Sequence, residues 1–228
     1  MLAIAAIAIG CGRIGFDATG EPGGSGMLGD DGGGSAGPRD SGTVDAIVAV
    51  ACTAATCPGG TCVDDECVIN CGIGNCTCPP DVKCRLRCAT PNTCGGMISC
   101  GRAATCKVDC TGDNTCGGTV TCGSAQACQL ECLGFASCGA ANCGSATTCA
   151  VDCVGPQSCG TPPVCNTGQR CGFTCSGVNS CPQIDCSNAC ACEVTCVTGS
   201  CFPPATCPSA ACDTGAGCTA DPPCVPTC

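Results

Sequence analysis

From Cys78 onward the cysteines of this chain fall on a fixed lattice. The spacing runs C-x5-C-x3-C-x5-C-x5 and then repeats, with a period of 22 residues and sometimes 21. The lattice passes through Cys84, Cys88, Cys94, Cys100, Cys106, Cys110, Cys116, Cys122, Cys128, Cys132 and Cys138. It continues through Cys143, Cys149, Cys153, Cys159, Cys165, Cys171, Cys175, Cys181, Cys186, Cys192 and Cys196. With 37 cysteines in 228 residues, cross-linking constrains folding more than any other feature. The usual core formers are scarce: four Phe, no Trp, no Tyr, and a hydrophobic fraction made largely of Ala and Cys. Small groups bury little area each, while ordering the backbone costs roughly 1–2 kcal/mol per residue. Covalent staples must make up the difference.

Disulfides fit this pattern better than metal. Zinc sites favour C-x2-C knuckles, often with His. This chain has no C-x2-C and no His; its closest pairs are Cys76/Cys78 and Cys190/Cys192. A metallothionein-like thiolate store resembles it in cysteine content alone. Disulfides imply an oxidising compartment.

The lattice carries a strand. Each repeat contains Cys-x-apolar-x-Cys, with Leu86, Val108, Leu130, Val151, Phe173 and Val194 in the middle. Alternation at period two puts both cysteines and the apolar residue on one face. A turn follows, with Gly112, Gly134, Gly155 and Gly177 and nearby Asn92, Asn114 and Asn179, residue types that tolerate positive φ. A small hydroxyl precedes the next cysteine at Thr93, Thr115, Ser137, Ser158, Ser180 and Ser200. Columns held in constant phase are what a coil of stacked turns produces. The expected fold is all-β: a disulfide-rich parallel β-solenoid of about six 21–22-residue rungs, roughly seven residues per side of a triangle. At about 4.8 Å per rung the stem is on the order of 30 Å long.

Geometry decides part of the pairing. Cys106 and Cys110 lie at i and i+4 on one strand face, so their Cα atoms are about 13 Å apart. A disulfide needs about 4.4–6.8 Å, so they cannot bond to each other. Bonds between adjacent rungs and bonds across the core of one rung both remain open. Residues 51–77 and 207–228 depart from the lattice and read as caps on a solenoid of residues 78–206. Ile47-Val48-Ala49-Val50 reads as a short first strand. Residues 11–50 read as a Gly-, Asp- and Ser-rich tether behind a signal of residues 1–10.

The signal is MLAIAAIAIG, an apolar run ending at Cys11 and too short to span a bilayer of about 30 Å as a helix. Ala8-Ile9-Gly10-Cys11 resembles a bacterial lipobox, although Ala8 stands where Leu is more usual. Gly10-Cys11-Gly12-Arg13-Ile14-Gly15-Phe16-Asp17 resembles the start of many cysteine-rich bacterial lipoproteins. That resemblance covers only the signal. It implies lipidation at Cys11, anchoring to a membrane through the lipid, and, because Gly rather than Asp follows Cys11, a place at the outer membrane or cell surface. Removing Cys11 leaves 36 cysteines, an even number.

Several function classes are disfavoured. The net charge of −10 makes nucleic acid and anionic lipid poor partners. No His is present to serve as a base, and HExxH and EF-hand patterns are absent. The expectation is a non-catalytic envelope lipoprotein without a cofactor, structural or adhesive in role; the alternative is an extracellular binding module for a protein, glycan or divalent cation. A single cation feature stands out. Stacked in register, Asp109, Glu131 and Asp152 form an outward acidic column that a divalent ion could neutralise. The competing reading is a solvated face with Arg87 offsetting Asp109.

Overall fold

The computed structural model describes residues 48–206, apart from 168, 169, 190, 198, 203 and 204, together with residues 218–220. The signal, Cys11 and the tether to residue 47 lie outside the described residues.

The described chain is all-β. It opens with a hairpin, β1 (Thr61–Val63) and β2 (Glu66–Asn70). Long and short strands then alternate: β3 (Cys76–Thr77), β4 (Lys83–Cys88), β5 (Ile98–Ser99), β6 (Thr105–Cys110), β7 (Thr119–Thr121), β8 (Ala127–Cys132), β9 (Ala140–Asn142) and β10 (Thr148–Cys153). β11 (Arg170–Cys175), β12 (Cys181–Pro182), β13 (Ala191–Cys196), β14 (Cys201–Phe202) and β15 (Cys218–Ala220) complete the order. The long strands stack into one sheet in the order β1-β2-β4-β6-β8-β10-β11-β13-β15, parallel from β2 onward. This is the parallel solenoid that the lattice implies.

Each rung has three sides. The first is the main sheet. The second is the column of third cysteines, paired by β12 with β14 and by the bridge Cys138↔Cys159. The third is the sheet β3-β5-β7-β9, continued by the bridges Asn142↔Val164, Val164↔Asp185 and Asp185↔Thr206. Register is cysteine on cysteine and apolar on apolar: Cys106 pairs with Cys128, Val108 with Leu130, Cys110 with Cys132. The column from Leu86 to Val194 is fully buried. A second buried column lines the third side through Ile98, Val120, Ala141, Ile184 and Ala205, each two residues before a cysteine. The narrow core is filled by these residues and by sulfur.

Fifteen disulfides join thirty cysteines among the described residues. The open question of connectivity resolves in favour of bonds within a rung. The first cysteine of each main strand joins the last cysteine of the preceding side, as in Cys100–Cys106 and Cys122–Cys128. The second joins the third around the next corner, as in Cys110–Cys116 and Cys132–Cys138. Each closes a small loop, so no staple among the described residues ties one rung of the lattice to the next. Rungs are held together by backbone ladders and core contact.

Both ends differ from the sequence expectation. Stacking begins inside the segment read as a cap, because Cys67, Ile69 and Cys71 repeat the cysteine–apolar–cysteine spacing and β2 pairs with β4. That motif sits 17 residues before Cys84 and so falls off the lattice. Cys52–Cys62 and Cys57–Cys67 interleave around the hairpin, whose turn residues Asp64 and Asp65 both take positive φ. That is the two-residue turn whose twist matches paired strands. At the far end β15 extends the sheet, with Cys218 on Cys192 and Ala220 on Val194. Val50 makes one parallel bridge to Val82, so the expected first strand is reduced to that contact among the described residues.

The turn glycines also behave differently. Asn92, Asn114 and Asn179 take positive φ, as do Ala136 and Gln157 at the same position of other rungs. Gly134, Gly155 and Gly177 do not. They are required by close stacking: a Cβ on Gly155 would lie 2.3 Å from the Gly134 carbonyl oxygen, and one on Gly177 would lie 2.2 Å from that of Gly155.

Candidate functional site

Side chains between the cysteines of the main strands point outward in two columns. One runs Arg85, Lys107, Gln129, Ala150; the other runs Arg87, Asp109, Glu131, Asp152. The three acids proposed as a cation column are therefore neighbours in register. Their surroundings are already cationic. Arg85 Nε donates to Asp109 Oδ2 at 2.6 Å, while Arg87 Nε stands 3.9 Å from the same oxygen. Lys107 Nζ reaches Glu131 Oε1 at 2.5 Å and lies 3.9 Å from Asp109 Oδ1. Gln129 Nε2 also donates to Glu131 Oε1, at 3.0 Å. Asp152 makes no ion pair among the described residues.

Asp109 is the buried member of this face, at 7% exposure. Its hydrogen bond raises the Arg85 pKa above the ordinary guanidinium value, with burial acting in the opposite direction. Three cations, Arg85, Arg87 and Lys107, neutralise Asp109 and Glu131. The main offset to Asp109 is the diagonal Arg85 rather than the directly opposed Arg87.

A second surface feature lies at the corners of the stack. At the corners after three of the main strands stand Leu133, Val154 and Val197, each donating its backbone N–H to the carbonyl of the second cysteine of the rung before, with exposed Ser176 in the same place between Val154 and Val197. Phe135 and Val178 stand beside these residues, and all five apolar side chains are exposed. This makes an interrupted line of exposed apolar side chains along one edge of the stack. The positions one and three residues past the second cysteine are mixed along the stack, with Thr111 and Ser176 in the first set and Asp113 and Gly199 in the second, so no periodic apolar signal marks them in the sequence.

All 22 lattice cysteines named above are disulfide-bonded. No protein-family model, curated protein or solved structure matches this chain.

Proposed function

We propose that this chain is a non-catalytic structural module of a cell envelope, carried on a lipid at Cys11 and exposed at the outer membrane or cell surface. The observation that carries the reading is the closure of thirty cysteines among the described residues into fifteen short-range disulfides, most of them inside one stacked core. Such bonding belongs to an oxidising compartment. It yields a rigid head whose loops are individually stapled, suited to a structural or adhesive role outside the cytoplasm. The lipobox-like Ala8–Cys11 segment and the Gly-rich stretch after it support an anchor and a spacer.

The test is mass spectrometry of the mature N-terminus, from protein isolated in its own membranes. A diacylglyceryl group on Cys11 supports the anchor; an intact Met1 in that material overturns it. A thiolate metal store would require reduced sulfur, so it belongs only to a form in which these bonds are broken.

The exposed apolar side chains of Leu133, Phe135, Val154, Val178 and Val197 along one edge favour a second reading, a binding module with an apolar contact edge. Phe135→Ser with Val178→Ser would then weaken adhesion of the purified protein to an alkyl-coated surface at unchanged melting temperature. Equal adhesion of the variant and the parent would remove that reading.

A further inference from the structure

The disulfides of the lattice stack on one another. Cys78 Sγ lies 3.6 Å from Cys106 Sγ, Cys100 Sγ lies 3.6 Å from Cys128 Sγ, and Cys122 Sγ lies 3.5 Å from Cys149 Sγ. Every one of these sulfurs is already in a disulfide, so no proton is shared and each contact is sulfur against sulfur. Bond and contact alternate along eight atoms, Cys84–Cys78···Cys106–Cys100···Cys128–Cys122···Cys149–Cys143. We propose that this column is a thiol–disulfide exchange relay, through which a thiolate entering at one end is passed rung by rung to the other.

The chemistry balances at each step. Cys84 is fully buried, so an external small-molecule thiolate reaches its Sγ through local opening of the first rung, forms a mixed disulfide and expels Cys78 as thiolate. Cys78 attacks Cys106 Sγ, forming the 78–106 bond and breaking 100–106, so that Cys100 leaves as thiolate. Cys100 attacks Cys128 and expels Cys122; Cys122 attacks Cys149 and expels Cys143. Each step makes one S–S bond and breaks one. Nothing is oxidised or reduced overall, and the negative charge moves along the stack. These sulfurs are in van der Waals contact within one folded stack, which makes every internal step unimolecular. Exchange proceeds by attack of thiolate on disulfide sulfur. The attacking species is the thiolate, so the relay runs faster as pH rises. The product carries the external thiol on Cys84 and a free thiol at Cys143, with bonds that join rungs rather than close loops, so the thiol has travelled three rungs, about 14 Å.

The variant Cys84→Ser starts the relay without an external thiol, since Cys78 is then unpaired beside Cys106. The purified variant is held in native buffer at about pH 9, quenched in acid, unfolded, labelled with a maleimide and mapped by mass spectrometry. The expected result is label spread over Cys78, Cys100, Cys122 and Cys143, with cross-linked peptides for Cys78–Cys106, Cys100–Cys128 and Cys122–Cys149. Label confined to Cys78, with Cys100–Cys106 intact, overturns the proposal. In Cys84→Ser/Cys100→Ser/Cys106→Ser the first acceptor is gone and the label should stay on Cys78; label at Cys122 there would equally overturn it. Should the single variant fail to fold, the parent protein treated with one equivalent of 2-mercaptoethanol serves instead. The same three inter-rung peptides are expected from it, and adducts with only within-rung pairs would refute the relay.

Discussion

Arg85 and Asp109 meet diagonally across two rungs, with Nε donating to Oδ2 at 2.6 Å, although Arg87 is the residue directly opposite Asp109 in the sheet. The charged face is thus laced between columns and between rungs. Since no lattice disulfide among the described residues crosses from rung to rung, this contact does what a staple does not. It ties β4 to β6.

Arg85→Met should destabilise the protein by about 2 kcal/mol, because it strips a charge-assisted hydrogen bond from a nearly buried carboxylate. Arg87→Met, removing a half-exposed neighbour at 3.9 Å, should cost no more than about 0.5 kcal/mol. The Arg85 contribution carries a definite pH sign. Its folded pKa is raised, so its stabilisation is complete below the unfolded value and is lost only as pH rises through the folded one, in strong alkali. Urea melts of the two variants at neutral pH and at moderately alkaline pH should therefore differ by the same amount. Equal midpoints for Arg85→Met and Arg87→Met would disprove the diagonal pairing.

Calcium should leave the melting temperature of the folded head unchanged. Asp109 and Glu131 are matched by Arg85, Arg87 and Lys107, so a divalent ion would have to displace cations already in contact. Only a protein stabilised by its ligand melts higher in its presence. A calcium-dependent rise that vanishes in Glu131→Gln would return the acidic column to the list of sites.

The architecture was legible because period and alternation both act on it. A 22-residue phase puts cysteine above cysteine, and a two-residue alternation buries Leu86, Val108 and Leu130 between them. The partner of Cys106 was not legible: neighbouring rungs and neighbouring sides both fall within disulfide reach, and only the corner geometry selects Cys100. The column of Ile98, Val120 and Ala141 was readable in principle, but it lies on strands of two or three residues and passes through Pro163 at one rung, so alternation there is too short to register. Arg85 over Arg87 depends on side-chain reach between columns, which register alone does not determine.

The buried hydroxyls offer a graded test. Thr115 Oγ1 donates to the Gly112 carbonyl at 2.8 Å, whereas Ser158 Oγ is buried without a hydrogen-bond partner. Thr115→Ala should cost about 1 kcal/mol or more through the lost bond and methyl, and Ser158→Ala should fall within about 0.5 kcal/mol of neutral, since an unpaired buried hydroxyl contributes no bond to lose. Chemical denaturation of the two variants compares them directly; a Ser158→Ala loss as large as that of Thr115→Ala would show that Ser158 is bonded in solution.

Two residues of a single turn should respond in opposite directions. Gly155 does not take positive φ, but its missing side chain lets the chain pass over the rung before it: a Cβ there would sit 2.3 Å from the Gly134 oxygen and 2.4 Å from that of Leu133. Both obstacles are backbone, so neither can rotate away. Gly155→Ala should destabilise by about 1–3 kcal/mol through forced separation of the rungs. Gln157, two residues on, has φ of 52° in the position that Asn92, Asn114 and Asn179 occupy in other rungs. A left-handed backbone costs a long side chain roughly 1 kcal/mol, and Asn offsets part of that through local hydrogen bonding. Gln157→Asn should therefore stabilise by about 0.5 kcal/mol, as should Ala136→Asn one rung earlier. The measurement is a urea midpoint for each variant at fixed pH and with all disulfides intact. A rise for Gly155→Ala would mean that the rungs are spaced more loosely than the stack requires, and a fall for both Asn variants would mean that the turn does not hold positive φ in solution.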